Sequence, residues 1–468
     1  MFDLIVHFIT VYVLGLYLIT VLQWYNYKIN RVIFHFHNYK WHLFYFVVPV
    51  VTYIAAYRFF WIYLFFGLIP ALFIWFKKTK GLTITKRVKR FFMILGFLET
   101  LNLVFMNKVH YNPGIASLIV LILSIIISET VEELLFLKYR KMAKEKLKKI
   151  NPTIIAVTAS YGKTSIKNFI YQLLKEDFKV YKTPRSVNTL KGIVLDINTK
   201  LPENTDIYVT EAGARERGDI KEIVRFLENE YSVLGKIGPQ HIEYFKTLEN
   251  IQKTKLEIFD SPNLKKGFSY ELPHPKAVVL KDKIKNIKAD LNKTEWDLEI
   301  DGKNYRFKTK ILGSFNAVNI SLAVYQAYEF IKDIEKLQQK VSALEPIPHR
   351  LQKIEVGGKI IIDDSFNGNI EGMLESFELV KFHPGRKVIV TPGLVEATEE
   401  MNKKIARAIN KTFDLAIITG KVNKKIFCSS LTIDKVYVSD KSKLEKILAD
   451  LTKPGDIIIF SNDTPEYL

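Results

Sequence analysis

The sequence predicts an α-helical membrane domain of about five spans followed by an α/β region built on a largely parallel sheet. Three observations carry that expectation: long apolar runs confined to the first 150 of 468 residues, short β-rich runs alternating with helical patterns afterwards, and an apolar strand that breaks into a Gly-Lys-Thr turn at residues 162–164.

The apolar runs cover residues 2–22, 43–57, 59–76, 91–106 and 115–137. Several approach the roughly 20 residues needed to cross a bilayer. Arg58 alone interrupts the stretch 43–76, which reads as a kinked hairpin or as a span plus a re-entrant piece; four or six spans are the alternatives to five. Basic residues gather between alternate runs. Lys28, Arg31 and Lys40 give net +3, the group from Lys77 to Arg90 gives +7, and the segment 138–149 gives +6, whereas the other side offers Asp3, Arg58 and Lys108. The positive-inside rule then places the N-terminus outside and everything after residue 150 in the cytoplasm. Sixteen of the chain's formal +19 lie at that inner edge, so topology and anionic lipid explain the charge and nucleic acid is not needed. The first run lacks a basic leader and a small-residue cleavage site, which argues against a removed signal peptide. Glu99, Glu129, Glu132 and Glu133 could mark a transport path; the better reading is that the last three, near the end of a run, reach the interface or pair with the nearby basic segment 138–149. One cysteine, Cys428, suits a reducing cytoplasm and excludes a disulfide framework or a cysteine-rich zinc ribbon.

Beyond residue 150, strands are expected at 153–158, 207–211, 231–236, 276–280, 354–363, 387–391, 415–419, 435–438 and 456–460, and helices between many of them, for instance 165–176 and 314–330. The segment 296–307 reads as a β-hairpin about Asp301-Gly302. Two prolines in Glu345-Pro-Ile-Pro348 mark a boundary, which gives domains at 1–150, 151–345 and 346–468.

The stretch Thr158-Ala-Ser-Tyr-Gly-Lys-Thr-Ser165 follows an apolar strand and opens a helix, the arrangement that holds a nucleotide phosphate. Backbone N–H groups around Ser160 and Gly162 and the helix N-terminus face the phosphates, Lys163 reaches the β/γ oxygens and Thr164 ligates Mg²⁺, so ATP is the first hypothesis. A strand ends in Glu211-Ala-Gly-Ala214, another leads to His241, and a third ends in Asp363-Asp-Ser-Phe-Asn-Gly-Asn369 with His349-Arg350 just upstream. Carboxylates and histidines at the carboxyl ends of parallel strands lie where open α/β sheets bind ligands, and Glu211 with His241 makes a plausible Mg²⁺ site.

In order along the chain these segments resemble the Mur ligases, within them the MurF type. Residues 158–164 are similar to that family's T-G-[ST]-x-G-K-T loop, Ser186-Val-Asn-Thr-Leu-Lys-Gly192 to N-x-N-N-E-x-G, 211–214 to E-M-G-A, and 237–243 to N-I-G-P-A-H-L-E. Thr254-Lys-Leu-Glu-Ile258 resembles A-K-x-E-I, Gly313-Ser-Phe-Asn-Ala-Val-Asn319 resembles G-R-H-N-x-x-N, and Arg350-Leu-Gln352 with 363–369 resembles the R-L-Q and D-D-S-Y-N-A-N pair; 460–465 resembles the MurF ending. Departures are Ala159 for a loop glycine, Phe315 for a histidine near the adenine, Thr189 and Leu190 for an Asn and an acidic residue, and His349 for a glycine. The small UDP-binding N-terminal domain of the family has no recognisable counterpart, and membrane spans take its place.

The resemblance implies a P-loop ATPase domain with a parallel sheet, a C-terminal Rossmann-like domain, and ATP-dependent amide-bond formation through an acyl phosphate, adding D-alanyl-D-alanine to UDP-MurNAc-tripeptide or a lipid-linked equivalent in the bacterial inner membrane. It implies Thr164, Glu211, His241 and a carbamylated Lys255 as metal ligands. Thr158, Ser160, Gly162, Lys163, Ser165, Asn316, Arg350 and Asp364 would hold ATP, Asn188 the acceptor peptide, and Asn367 and Asn369 the incoming dipeptide. A poly-γ-glutamate synthase-like ligase, and a membrane transporter driven by a P-loop ATPase, are the alternatives.

Overall fold

The computed structural model describes residues 2–34, 39–79, 81–106, 112–239, 242–366, 368–394 and 397–462. They form two compact units that divide between Lys138 and Tyr139.

Among the described residues of the first unit, three helices are long and apolar enough to cross a membrane: α1 (Phe2–Trp24), the segment Lys40–Lys78, and the helix beginning at Pro113. Lys86–Met106, here α2, is not among them, because Lys86, Arg87, Lys89 and Arg90 crowd its first turn and Glu99 its middle. The helix from Pro113 continues to Ile150 and is named α3. The segment Lys40–Lys78 is not straight. Ala56 (φ −137°, ψ 42°) and Phe59 (φ −105°, ψ 0°) break it around a single 3₁₀ turn, Tyr57–Phe59. Trp41 and Trp75, 34 positions apart, have ring centroids 5.5 Å from each other, and both also pack on Trp24. A continuous helix would hold them about 50 Å apart, so the segment is a hairpin with its tip at residues 57–59. Gln23 and Thr83 exchange hydrogen bonds of 2.8 and 2.9 Å at the same end as Trp24. Arg87 and Arg90 reach Glu129 and Glu132 on α3 at 2.5 and 2.6 Å, so these glutamates pair with the basic start of α2 and not with the basic segment that follows their own run. Towards the opposite end, His7 contacts Tyr53 Oη at 2.7 Å and Glu99 at 3.3 Å, so a buried polar cluster joins α1, the hairpin and α2. Large apolar side chains, Phe59, Phe66 and Phe97 among them, point outward.

The second unit is α/β. Strands β1 (Thr153–Thr158), β2 (Val180–Lys182), β3 (Ile207–Glu211), β4 (Tyr231–Leu234), β5 (Lys266–Ser269) and β6 (Ala277–Val279) form an all-parallel sheet in the order β2-β3-β1-β4-β5-β6. Helix α4 (Lys163–Leu174) presents Ile166, Phe169, Ile170, Leu173 and Leu174 to the sheet at helical spacing, and α5 (Ser314–Ile331) is almost wholly buried beside it. An antiparallel sheet of β7 (Ile284–Ala289), β8 (Thr294–Ile300) and β9 (Lys303–Thr309) closes the same core with Trp296 and Phe307. Asp301 and Gly302 turn the expected hairpin with φ of 51° and 78°, as a type I′ turn requires.

A second six-stranded sheet follows: β10 (Gln352–Val356), β11 (Lys359–Asp364), β12 (Lys387–Thr391), β13 (Leu415–Thr419), β14 (Asp434–Val438) and β15 (Ile457–Ser461), in the order β10-β11-β15-β12-β13-β14. It is parallel except for β10. The strand expected over 354–363 is therefore two strands. Gly357 and Gly358, both at positive φ, fold the apolar run back on itself, and a run of β-branched residues does not reveal that reversal. Helix α6 (Ile370–Lys381) buries Met373, Phe377 and Val380 against this sheet.

Candidate functional site

The register of the first sheet aligns the ends of three strands. Val157 pairs with Glu211, and Thr158 with Leu234, so the carboxyl ends of β1, β3 and β4 meet where the strand order reverses. The loop after β1 is tied down from β4's extension: Ser160 N and Oγ donate to Lys236 O at 2.9 Å and Gly238 O at 3.0 Å. Gly162 (φ +81°) makes the turn into α4, and a Cβ there would lie 2.5 Å from Asn319 Oδ1 of α5. Ala159, the departure from the family loop, is matched by Gly235, where a Cβ would meet Ala159 Cβ at 2.9 Å.

Lys163 Nζ folds over this loop, donating to Ala159 O at 2.7 Å and Ser160 O at 3.1 Å. Burial pushes its amine down to about 8, Arg350 adds to the effect, and Glu211 works against it. Lys255 arrives from the helix Leu248–Leu256 and brings Nζ 3.5 Å from Thr158 Oγ1, which itself donates to Ala212 O at 2.6 Å. Burial, reinforced by Lys163, holds the Lys255 amine well below the ordinary lysine value. Glu211 is fully buried. Its Oε1 lies 2.8 Å from Lys167 Nζ, yet neither carboxylate oxygen accepts a hydrogen bond of proper geometry. A buried carboxylate in that state at the end of β3, in register with the last residues of β1 before the phosphate loop, fits a divalent cation. His241 lies outside the described residues, and among the described residues no group of three or more His, Cys, Asp or Glu converges.

Arg350 reaches this cluster from the second sheet's side. Its neighbours His349 (φ 62°) and Leu351 (φ 52°) are both left-handed, which explains a glycine in the family at the first of them; His349 Nδ1 lies 2.8 Å from Asp363 Oδ2. The guanidinium stacks on Phe366 at 4.4 Å and influences Asp364, Glu211 and Lys163 electrostatically. Burial raises the Asp364 carboxyl to about 7 despite Arg350 and a hydrogen bond from the Leu351 backbone. Asn462 orders the loop after Asp364: its Oδ1 accepts from Gly368 N at 2.9 Å and its Nδ2 donates to Gly393 O at 2.6 Å.

The other expected residues take the following positions. Asn316 is buried with its Nδ2 donating to Leu312 O at 2.8 Å. Asn188 O accepts from Gly213 N at 2.7 Å, placing the 186–189 segment against the end of β3. Asn369 caps α6 through Gly372 N at 2.9 Å, and Asn367 is outside the described residues. Thr164 and Ser165 occupy the first turn of α4. Three contacts had no signal in the sequence. Lys167 pairs with Glu211. Glu375 of α6 caps the N-terminus of α5, accepting from Phe315 N at 2.9 Å and from the Ser314 hydroxyl, while Glu371 one turn earlier meets Lys236 at 2.7 Å.

Residues 157–327 match the Mur ligase middle domain family. A UDP-N-acetylmuramoyl-tripeptide--D-alanyl-D-alanine ligase of Bacillus subtilis is 26% identical over 347 residues, covering 69% of this chain and 75% of that protein. The Escherichia coli ligase of the same name is 23% identical over 53% of this chain and 59% of its own length. The crystal structure of MurF ligase from Thermotoga maritima in complex with ADP superposes with a TM-score of 0.61 at 25% identity, covering 70% of this chain and 80% of that one. Residues 157–327 thus carry a Mur ligase middle domain, and the fold around it is similar to that of a MurF ligase. The relatives it resembles are of the MurF type.

Proposed function

We propose that this chain is an ATP-dependent carboxylate-amine ligase of peptidoglycan precursor synthesis that joins D-alanyl-D-alanine to a muramyl-tripeptide. The observation that carries the reading is the convergence of Lys163, Lys255, Glu211 and Arg350, drawn from four separate segments, on the end of β1. The acceptor's carboxylate attacks the γ-phosphorus of ATP and ADP leaves, giving an acyl phosphate. The dipeptide's amine then attacks the acyl carbon, and phosphate departs from the tetrahedral intermediate. Lys163 and Arg350 offset the charge gathered by two approaching anions, which costs little reorganisation because both are held in place beforehand. Two Mg²⁺ ions, one that Thr164 and Glu211 would hold and a second that His241 would hold, would supply further neutralisation of phosphate charge when bound. Lys255 is suited to carbamylation, since burial holds its amine below the ordinary lysine value and the unprotonated amine is the form that adds CO₂. Asn316 and Asp364 serve the nucleoside, with Thr158, Ser160, Gly162 and Ser165 at the phosphates, Asn188 at the acceptor, and Asn367 and Asn369 at the dipeptide.

The domain division at 150 and 345 belongs to this reading, as does a multi-pass anchor in the bacterial inner membrane with catalysis on the cytoplasmic side. Folding of Lys40–Lys78 into two limbs of under 20 residues each supports reading it as two of the five passes: at 1.5 Å per residue each limb measures about 25–30 Å, the thickness of the hydrocarbon core. Lipid contacts along the outward apolar side chains, and an acceptor that is UDP-linked or lipid-linked, follow from it.

The test is ligation by the full chain in detergent with ATP, Mg²⁺, UDP-MurNAc-tripeptide and D-alanyl-D-alanine, reading phosphate release and product mass beside Lys163→Ala. A pentapeptide nucleotide formed by the parent and not by the variant supports the assignment. ATP hydrolysis without that product, with ligation of another acid instead, removes the MurF substrate and leaves the ligase.

A further inference from the structure

We propose that Lys167 is a positioning residue that serves as counter-ion to Glu211 before the divalent cation binds and passes the cation's arrival on to the segment 183–189. The inference rests on the reading above for one point only, that Glu211 takes the cation.

Lys167 lies one turn after Lys163 on α4, so both lysines project from the same helix face. Lys163 serves the loop, whereas Lys167 is only 1% exposed. Its ammonium group donates to Arg185 O at 2.6 Å and Thr183 O at 2.7 Å, with Thr183 Oγ1 at 3.4 Å, and Glu211 Oε1 lies 2.8 Å away as an ion-pair partner outside hydrogen-bond geometry. One charge therefore fastens the end of β3 to the chain leaving β2. Arg185 is held at φ +45°, a conformation that side-chain-bearing residues rarely adopt without tertiary restraint. Three residues further on, Asn188 is hydrogen-bonded to Gly213, two positions past Glu211. The carboxylate at the cation position and the segment abutting it thus share a single buried lysine.

A divalent cation on Glu211 brings like charge next to this ammonium. The attraction that seats Lys167 becomes repulsion at short range in a poorly screened interior, and its hold on the Thr183 and Arg185 carbonyls weakens. The segment 183–189 then loosens when the metal nucleotide is bound and not when the nucleotide binds alone.

Amide hydrogen exchange on the full chain in detergent tests this with ADP plus EDTA against ADP plus Mg²⁺. Protection of residues 158–165 in both states reports binding. Amides in 183–189 should exchange roughly three- to tenfold faster only with Mg²⁺. In Lys167→Met they should exchange fast already without metal and show no further response. A purely structural lysine predicts faster exchange in the variant but no Mg²⁺ response in the parent. Unchanged or slower exchange in the parent with Mg²⁺ overturns the proposal, as does a variant that keeps the parent's response. Should Lys167→Met fail to fold, the parent comparison decides alone. No acceptor or amine is present, so a chain that ligates a different acid passes or fails this test on its own terms.

Discussion

Removing the Glu375 side chain tests whether α6 clamps the ATP-binding part. Gly313, at the N-cap of α5, has no side chain with which to cap the helix, and Glu375 supplies that function from the second sheet's layer. Loss of such a cap costs about 1 kcal/mol, with a range of about 0.5–2, and loss of a carboxylate at a helix N-terminus about 0.3–1 kcal/mol more. The adjacent Lys236–Glu371 pair is 45% and 51% exposed and contributes about 0–1 kcal/mol. A total near 1–2 kcal/mol shifts the closed arrangement by roughly 5- to 30-fold. Asn316 stands in the same first turn of α5, so Glu375→Ala should raise the KM for ATP by that factor and leave kcat at saturating ATP near the parent's. Glu375→Gln, which keeps an acceptor, should fall between the two, and Lys236→Ala should stay within about twofold. Phosphate release measured across ATP concentrations checks all three. A Glu375→Ala enzyme with the parent's KM, or a larger effect from Lys236→Ala than from Glu375→Ala, refutes the clamp.

Three further outcomes are expected. If Lys255 is carbamylated, stripping dissolved CO₂ should lower activity and bicarbonate should restore it; indifference to both means that the amine acts unmodified. The folded state holds Asp364 at about 7 against an ordinary 3.8, so it favours the protonated form, and this carboxyl penalises the native state increasingly as pH rises between those values. The Tm of Asp364→Asn minus that of the parent should therefore grow from pH 4 to pH 7 and level off above, and a flat difference contradicts the burial argument. For topology, Phe59→Cys and Thr83→Cys in a Cys428→Ser background should part company: an impermeant maleimide on intact cells should label the first, and reach the second only after lysis. Labelling of Phe59→Cys only after lysis rules out five passes.

Much of this molecule is written locally. Continuous apolar strands, the Gly-Lys-Thr turn, the Asp301-Gly302 hairpin and the acidic strand ends were legible because each depends on residues a few positions apart, where side-chain period and backbone preference act directly. The same locality misled at 354–363, where two glycines reverse a run that looks like one strand. His349 shows the intermediate case: a departure from the family pattern in the sequence, it proves to occupy the left-handed conformation that the glycine would take, steadied by Asp363. Tertiary structure alone decided which charges meet. Lys167 and Glu211 are 44 positions apart, and Lys255 lies 97 from Thr158. No periodicity encodes such partners, because the free energy that selects them comes from desolvating two distant groups together, and that exists only once the sheet has brought them into register.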